Sequence, residues 1–355
     1  MSEDKYNIIT RNLQEIIGSD DLKELLKNKN PKIYWGTAPT GRIHIAYFLP
    51  LLKIADFLDA GCHVKILIAD LHAYLDNMKS SLDQLNSRCE YYTHMIKEIL
   101  KVLNVNLSKL EFVKGTDFQL NKEYTMDVYK AHNMISYNEA RHAGAEVVKQ
   151  TDNPNINSLL YPTLQALDEQ YLDVDIQFGG NDQRKIFMHA RKILPSIGYK
   201  KRIYLMNSII PALSKVSLKD PQQESTITNK KMSSSDNTSK IDVLEDEKSI
   251  KKKINSTYCL EGDISDNTLL TMSKLLIFPI LNRLNQKLII QRPEKYGGNI
   301  IYDNYTLLES DFETKKLHPS DLKNGISLFI INLIKPIQIE FQKEELVKLL
   351  QKAYS

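Results

Sequence analysis

Four short runs of apolar and β-branched residues recur along this chain, with helix-spaced segments between them, and three of the four stop at glycine. Lys32-Ile33-Tyr34-Trp35 ends at Gly36, and helical spacing then runs from about Ala46 to Asp59, stopping at Gly61. His63 to Ala69 is the strongest strand signal, and 82–104 reads as a helix. Leu110 to Lys114 ends at Gly115; Leu172 to Phe178 runs into Gly179-Gly180, ahead of a helix from about Asp182 to Ile193. This alternation predicts a parallel sheet joined by right-handed helical crossovers, an α/β fold. In such sheets ligands sit beyond the carboxyl ends of the strands. Most of the unusual residues fall there, which points to a nucleotide-type site.

Outside that pattern, residues 5–29 predict two helices. One is drawn from Ile8, Leu13, Ile16 and Ile17, the other from Leu22, Leu25 and Leu26, with Ser19-Asp20 as a cap and Pro31 as a stop. From about Ser214 to Ser239 the chain loses its apolar periodicity and reads as a mobile loop. Beyond it the pattern is mainly helical. The expected division is therefore a catalytic domain over 1–240, with an insertion at about 214–229, and a smaller helical domain over 241–355.

Charge and cysteine content narrow the function. Lys and Arg exceed Asp and Glu by only 47 to 44, too balanced for wholesale binding of nucleic acid, though a local basic face stays open. Cys62, Cys89 and Cys259 cannot all pair, and no CxxC motif offers a zinc site, so free thiols and a reducing compartment are expected, with no resident metal. The N-terminus lacks the apolar core of a signal peptide, and no run of 18 apolar residues occurs. The expectation is a soluble cytoplasmic protein with no membrane partner.

Two segments carry phosphate-binding chemistry. Gly36 to Tyr47 lies between a strand and a helix, where small residues admit a ligand to the backbone and a helix start favours phosphate. His44 can donate to phosphate oxygens there; the same text also suits a plain βα turn with His44 as a cap. Lys230-Lys231-Met232-Ser233-Ser234-Ser235 offers an ammonium, hydroxyls and backbone N–H groups to a polyphosphate, although most such loops are solvated linkers. Tyr161, Gln165 and Asp168 stand at i, i+4 and i+7, on one helix face beside Leu160, Leu164 and Leu167. That spacing fits either a small polar ligand or an ordinary solvated face. Gly180 and Asp182 follow a strand and suit a ribose. Asp70 and His72 end the strongest strand, as pocket-lining or structural polar groups.

His44-Ile45-Ala46-Tyr47 resembles the HIGH signature of class I aminoacyl-tRNA synthetases, and Lys231 to Ser235 resembles their KMSKS signature. Tyr47 stands in place of the second histidine and Ser234 in place of the second lysine. With Tyr34-Trp35-Gly36, Ala69 to Tyr74 and Gly179 to Lys185, the chain resembles the tyrosyl-tRNA synthetases of the eukaryotic and archaeal type over nearly its whole length. The resemblance implies a Rossmann-like catalytic domain and a helical anticodon-binding domain. It implies tyrosine–tRNA ligase activity, with L-tyrosine, ATP and tRNA(Tyr) as substrates. Tyr34 and Asp168 would bond the phenol, and Tyr161, Gln165 and Gln183 the amino-acid head. Gly36, His44, Tyr47, Gly180, Asp182, Lys231, Met232, Ser233 and Ser235 would surround ATP, with His44, Lys231 and Ser234 acting in catalysis.

The resemblance also implies Mg²⁺ on the pyrophosphate and a homodimer, with the apolar helix of about 121–137 a possible contributor to the interface. K⁺ or Lys230 would replace the charge lost at Ser234. Tyr296 and Asp321 would read the anticodon, with Lys251 to Lys253 beside the RNA backbone, and no appended RNA-binding domain is expected. Rival readings are a tryptophanyl-tRNA synthetase, a small-molecule adenylyltransferase on the same fold, and a synthetase-derived RNA-binding or signalling protein without catalysis.

Overall fold

The computed structural model describes residues 2–76, 81–147, 155–213, 232, 239–265 and 267–354. Six strands form the central sheet: β1 (Leu13–Ile17), β2 (Lys32–Thr37), β3 (His63–Ile68), β4 (Leu110–Lys114), β5 (Ile176–Gly180) and β6 (Ile203–Asn207). Their spatial order is β1-β6-β5-β2-β3-β4, all parallel except β1, which runs antiparallel to β6. The chain lays down β2, β3 and β4 outward in one direction, then returns to place β5 and β6 on the other side of β2. The strand order therefore reverses between β2 and β5, where open α/β sheets keep their ligand crevice.

The inner strands β2, β3, β5 and β6 are mostly buried because helices lie over the sheet, while the edge strands β1 and β4 are only partly covered. Phe48–Asp59 joins β2 to β3, Leu82–Val102 joins β3 to β4, and Arg184–Ser196 joins β5 to β6. Ile33, Ile66, Phe57 and Phe178 are almost wholly excluded from solvent, and the Phe57 and Phe178 rings meet edge to face at 5.1 Å. Beyond residue 240 the chain is mostly helical, with Pro319–Glu340 the longest helix and a two-stranded ribbon of β7 (Leu288–Ile290) and β8 (Ile300–Tyr302). One apolar cluster runs from Ile9 to Ala353, so this region shares its packing with the sheet layer.

Three sequence expectations fail here. The residues Leu13, Ile16 and Ile17 form β1, not a helix. Helix Ser2–Thr10 stops before Asn12, whose φ of +60° turns the backbone, and the next five residues form a strand along β6, with a register shift at Gln14. The 3–4 spacing from Ile8 to Ile17 spans two elements. Likewise Leu172 to Asp175 are a turn: Asp173 takes φ +50° after helix Asn157–Tyr171, and β5 begins at Ile176. Leu172 and Val174 are apolar because they pack under Tyr34, not because they extend a strand. The second helix begins after Gly18, with φ +88°, and has no side-chain cap; the Ser19 hydroxyl pairs with Tyr6 instead. Strand β6 carries no glycine signal, and the sequence pattern passes over it. Among the described residues no helix is long and apolar enough to cross a membrane.

Candidate active site

A cavity of about 360 Å³ opens at the carboxyl ends of β2 and β5. Tyr34, Gly36, His44, Tyr47, Tyr161, Gln165, Asp168, Gly180, Asp182, Gln183 and Met232 all line it, as does His72. The helix Asn157–Tyr171 brings Tyr161, Gln165 and Asp168 to the cavity together. Leu164 and Leu167 turn into the adjacent apolar cluster.

At its inner end the cavity is closed by two buried groups, Tyr34 and Asp168, both with no exposed surface. The Tyr34 hydroxyl donates to the Gln165 carbonyl at 3.2 Å and accepts from the Gln177 amide. Asp168 Oδ1 accepts from Gln119 Nε2 at 2.7 Å and from the Tyr124 hydroxyl at 2.9 Å. Among the described residues its Oδ2 has no hydrogen-bond partner; His72 Nε2, at 3.9 Å, is too distant for one. A buried carboxylate oxygen without a donor is costly. Burial accordingly pushes the Asp168 carboxyl up to about 7, against the opposing pull of the Gln119 and Tyr124 donors. Burial also lowers His72 to about 4, so that its ring is neutral beside the carboxylate. The arrangement offers one unused acceptor to a hydroxyl placed between Tyr34 and Asp168.

The outer end is built from backbone. β2 leads through Gly36 and Thr37 into the loop that ends at His44, which is 4% exposed and meets Tyr47 edge to face at 5.1 Å. The Tyr47 hydroxyl pairs with Thr37 Oγ1 at 3.2 Å. Residues 241–243 run antiparallel against this segment: Ile45 N donates to Ile241 O at 2.9 Å and Val243 N to Ile43 O at 3.1 Å. Met232 is buried and donates its N–H to Ile210 O at 3.1 Å. The polar loop is thus tied to the cavity at Met232 and to the His44 segment at Ile241. Lys230, Lys231, Ser233, Ser234, Ser235 and the insertion at 214–229 lie outside the described residues.

Between the two ends runs a chain of amides. Gln165 Nε2 donates to Gln183 Oε1 at 3.1 Å, and Gln183 Nε2 donates to Asp182 Oδ2 at 3.2 Å. Gly179 and Gly180 keep this rim tight: a Cβ on Gly179 would come within 2.9 Å of Phe187, and one on Gly180 within 2.5 Å of Asp182 Oδ1.

Sequence reasoning missed Gln119, Tyr124 and Gln177, which set the chemistry of Asp168 and Tyr34. Gln177 was the most legible, a lone amide between Ile176 and Phe178 in a strand otherwise apolar until its glycines. Gln119 and Tyr124 follow β4 with no local mark. Asp70 is a structural group at the start of a short helix, accepting from the N–H groups of Leu71 and Thr116. Tyr296 lies far along the chain beside the β7–β8 ribbon, 63% exposed, with Lys295 Nζ 4.9 Å from its ring centre. Asp321 sits in the first turn of Pro319–Glu340, donating its N–H to the His318 carbonyl.

Comparison with known proteins gives a consistent picture. A family model described as tRNA synthetases class I (W and Y) matches residues 26–335. A cytoplasmic tyrosine–tRNA ligase of Gallus gallus is 50% identical over 352 residues, which is 99% of this chain and 63% of that protein. One from Saccharomyces cerevisiae is 48% identical over 342 residues, covering 95% and 84% respectively. Among solved structures, the tyrosyl-tRNA synthetase of Archaeoglobus fulgidus complexed with L-tyrosine superposes with a TM-score of 0.82 at 32% identity, over 94% of this chain and 98% of that one.

Proposed function

Since this chain belongs to the class I tRNA synthetases of the W and Y type, we propose that it is an ATP-dependent tyrosine–tRNA ligase acting in the cytoplasm. The observation that carries the choice of amino acid is the buried Asp168, with one oxygen unbonded at the closed end of the cavity beside Tyr34. A substrate phenol donating to that oxygen satisfies it; phenylalanine leaves it bare, and an indole has no group of the same reach.

In this reading Tyr161, Gln165 and Gln183 hold the ammonium and carboxylate of tyrosine. Gly36, Tyr47, Gly180, Asp182 and Met232 take the nucleoside, and His44, Lys231, Ser233 and Ser235 the triphosphate. The tyrosine carboxylate oxygen attacks the α-phosphorus, the bond to the bridging oxygen breaks, and pyrophosphate leaves with the electron pair. No side chain need act as nucleophile or general base. Rate comes from alignment and from donors aimed at the phosphate charge. A ribose hydroxyl at the tRNA 3′ end then attacks the tyrosyl carbonyl and AMP departs.

Among the described residues no three His, Cys, Asp or Glu side chains cluster to hold a metal. Mg²⁺ is proposed to come carried on the triphosphate, where it would neutralise phosphate charge. K⁺ is proposed to stand in for the lysine replaced by Ser234, with Lys230 as the alternative. Residues 1–240 carry activation and 241–355 the anticodon, with Tyr296 available to stack on a base and Asp321 to accept from one. A homodimer is proposed, with the segment of about 121–137, where Met126, Tyr129, Met134 and Tyr137 are exposed, contributing to its interface.

ATP–pyrophosphate exchange with tyrosine, tryptophan and phenylalanine tests the assignment, followed by charging of tRNA(Tyr). Exchange with tyrosine alone is expected. Exchange driven by tryptophan would transfer the protein to the other amino acid of the family, and none with any amino acid would leave a protein without activation chemistry.

A further inference from the structure

The loop that carries Thr40 and His44 is held from behind by two helices, one of which lies beyond the residues the family model matches. Leu82–Val102 presents Arg88, Tyr91 and Tyr92 on one face, at i, i+3 and i+4. Arg88 is 8% exposed, and its guanidinium donates through Nη1 to the Thr40 carbonyl at 2.8 Å and through Nε to the Ala353 carbonyl at 2.9 Å. It also lies over the ring of Tyr354, 5.0 Å from its centre. The Gly41 carbonyl accepts two phenols, Tyr92 at 2.6 Å and Tyr354 at 3.0 Å. The Ile43 N–H donates to the Tyr91 hydroxyl at 3.2 Å, and Tyr91 meets Tyr354 and Phe341 edge to face.

From these contacts we infer that Arg88 and Tyr354 are positioning residues for ATP, acting through the backbone of Thr40 and Gly41. A trans peptide holds its N–H opposite its C=O. Pinning the carbonyls of Thr40 and Gly41 against the two helices therefore aims the N–H groups of Gly41 and Arg42 the other way, in the loop that leads to His44. Backbone N–H groups held in this manner favour an anion. Arg88 suits the task because its planar fork reaches two carbonyls at once, and Gly41 has both acceptor positions of its carbonyl filled. The helix Glu344–Tyr354 thus completes a loop more than 300 residues earlier in the chain. No residue of the cluster reaches the Asp168 end of the cavity.

This inference rests on the ATP-dependent reading, and its test separates the two. Tyr354→Phe keeps the ring against Arg88 and Tyr91 while removing the hydroxyl on Gly41; Arg88→Lys keeps the charge and loses the fork. ATP affinity is read by calorimetry, tyrosine affinity by equilibrium dialysis, and integrity by thermal melting. ATP affinity and the KM for ATP in exchange should weaken about fivefold in Tyr354→Phe and roughly tenfold in Arg88→Lys, with tyrosine affinity held within a factor of two. Unchanged ATP affinity in both variants, or equal loss of both affinities, would overturn the positioning role. Tight ATP binding by the unmodified protein without tyrosine-dependent exchange would instead overturn the ligase reading and leave the clamp to be judged on calorimetry.

Discussion

At the Asp168 end of the cleft, recognition is assembled from buried side chains, whereas at the His44 end it is assembled from short stretches of backbone. Tyr34, Gln119, Tyr124, Asp168 and Gln177 are all buried; Gln119 and Tyr124 donate to Asp168, and Gln177 donates to Tyr34. Segments 36–47, 179–183, 207–210 and 241–243 meet around the other end, tied by main-chain bonds such as Ile45 N to Ile241 O. Desolvation makes the first end selective and sensitive to protons. The second depends on where donors point, so it governs rate and tolerates little added bulk. A substitution at one end should leave the other intact, and each expectation that follows breaks or sharpens that separation.

The largest effect is expected at His44. Removing one donor aimed at developing phosphate charge typically costs about 10²–10³ in rate, so His44→Gln should lower kcat for tyrosine-dependent exchange by that order. Tyrosine affinity measured without ATP should not move. A parallel loss of tyrosine affinity would mean that the two ends are one cooperative unit.

Asp168→Asn should act in the opposite sense, weakening tyrosine by roughly a hundredfold, the range expected when a charge-assisted hydrogen bond is lost. ATP affinity in the absence of tyrosine should stay put. A comparable fall in ATP affinity would show that the carboxylate supports the whole cleft.

The same carboxylate makes the inner end responsive to pH. Burial raises it to about 7, above the ordinary value of about 3.9 for an unfolded chain. The folded state therefore holds a proton that the unfolded state has lost, and stability falls as pH rises between about 4 and 7, levelling off above. For the ligand the sign reverses: a phenol donates to the ionised form, so tyrosine affinity should fall by up to about tenfold per unit as pH drops below 7. His72, lowered to about 4 by burial, is neutral from about pH 5 upward, and Gln119 and Tyr124 do not titrate between about pH 5 and 8. Asp168→Asn should flatten both curves. A tyrosine KM independent of pH from 8 to 5.5 in the unmodified protein would contradict the burial argument.

Legibility in the sequence follows the same divide. Motifs that require particular residue types at short spacing, such as Tyr161, Gln165 and Asp168 on one helix or Gly179-Gly180 after a strand, could be read directly. So could β2, β3 and β4 and the glycine end of β5, because their apolar runs end in glycine or begin crossovers; the start of β5 could not, since Leu172 and Val174 are apolar for packing under Tyr34. What could not be read were partners brought in by the fold: Gln119 and Tyr124 reach Asp168 from beyond β4, and Arg88 meets Ala353 across most of the chain. β1 was misread for the same reason, since its five residues owe their extended form to β6 and not to their own pattern.

Gly180 gives the smallest and most discriminating effect, by contrast with its neighbour Gly179. A Cβ on Gly179 would press on the Phe187 ring at 2.9 Å and on Gln183 Cγ at 3.0 Å. Phe187 has no exposed surface, so the clash falls on the core, and Gly179→Ala should lose stability. A Cβ on Gly180 would meet the carboxylate end of the Asp182 side chain, at 2.5 Å, and the backbone there, with φ −75° and ψ 162°, accepts alanine without strain. The carboxylate can swing aside, but it then gives up its bond from Gln183 Nε2 and the place proposed for it beside the ribose. Gly180→Ala should therefore melt within a degree or two of the unmodified protein and raise the KM for ATP about threefold, a fraction of one hydrogen bond. Gly179→Ala should show the reverse balance, a Tm lowered by roughly 1–2 °C for each kcal/mol lost and by several degrees in all. Equal melting losses in the pair would mean that the Gly-Gly turn serves packing alone, and would remove Asp182 from the nucleotide's surroundings.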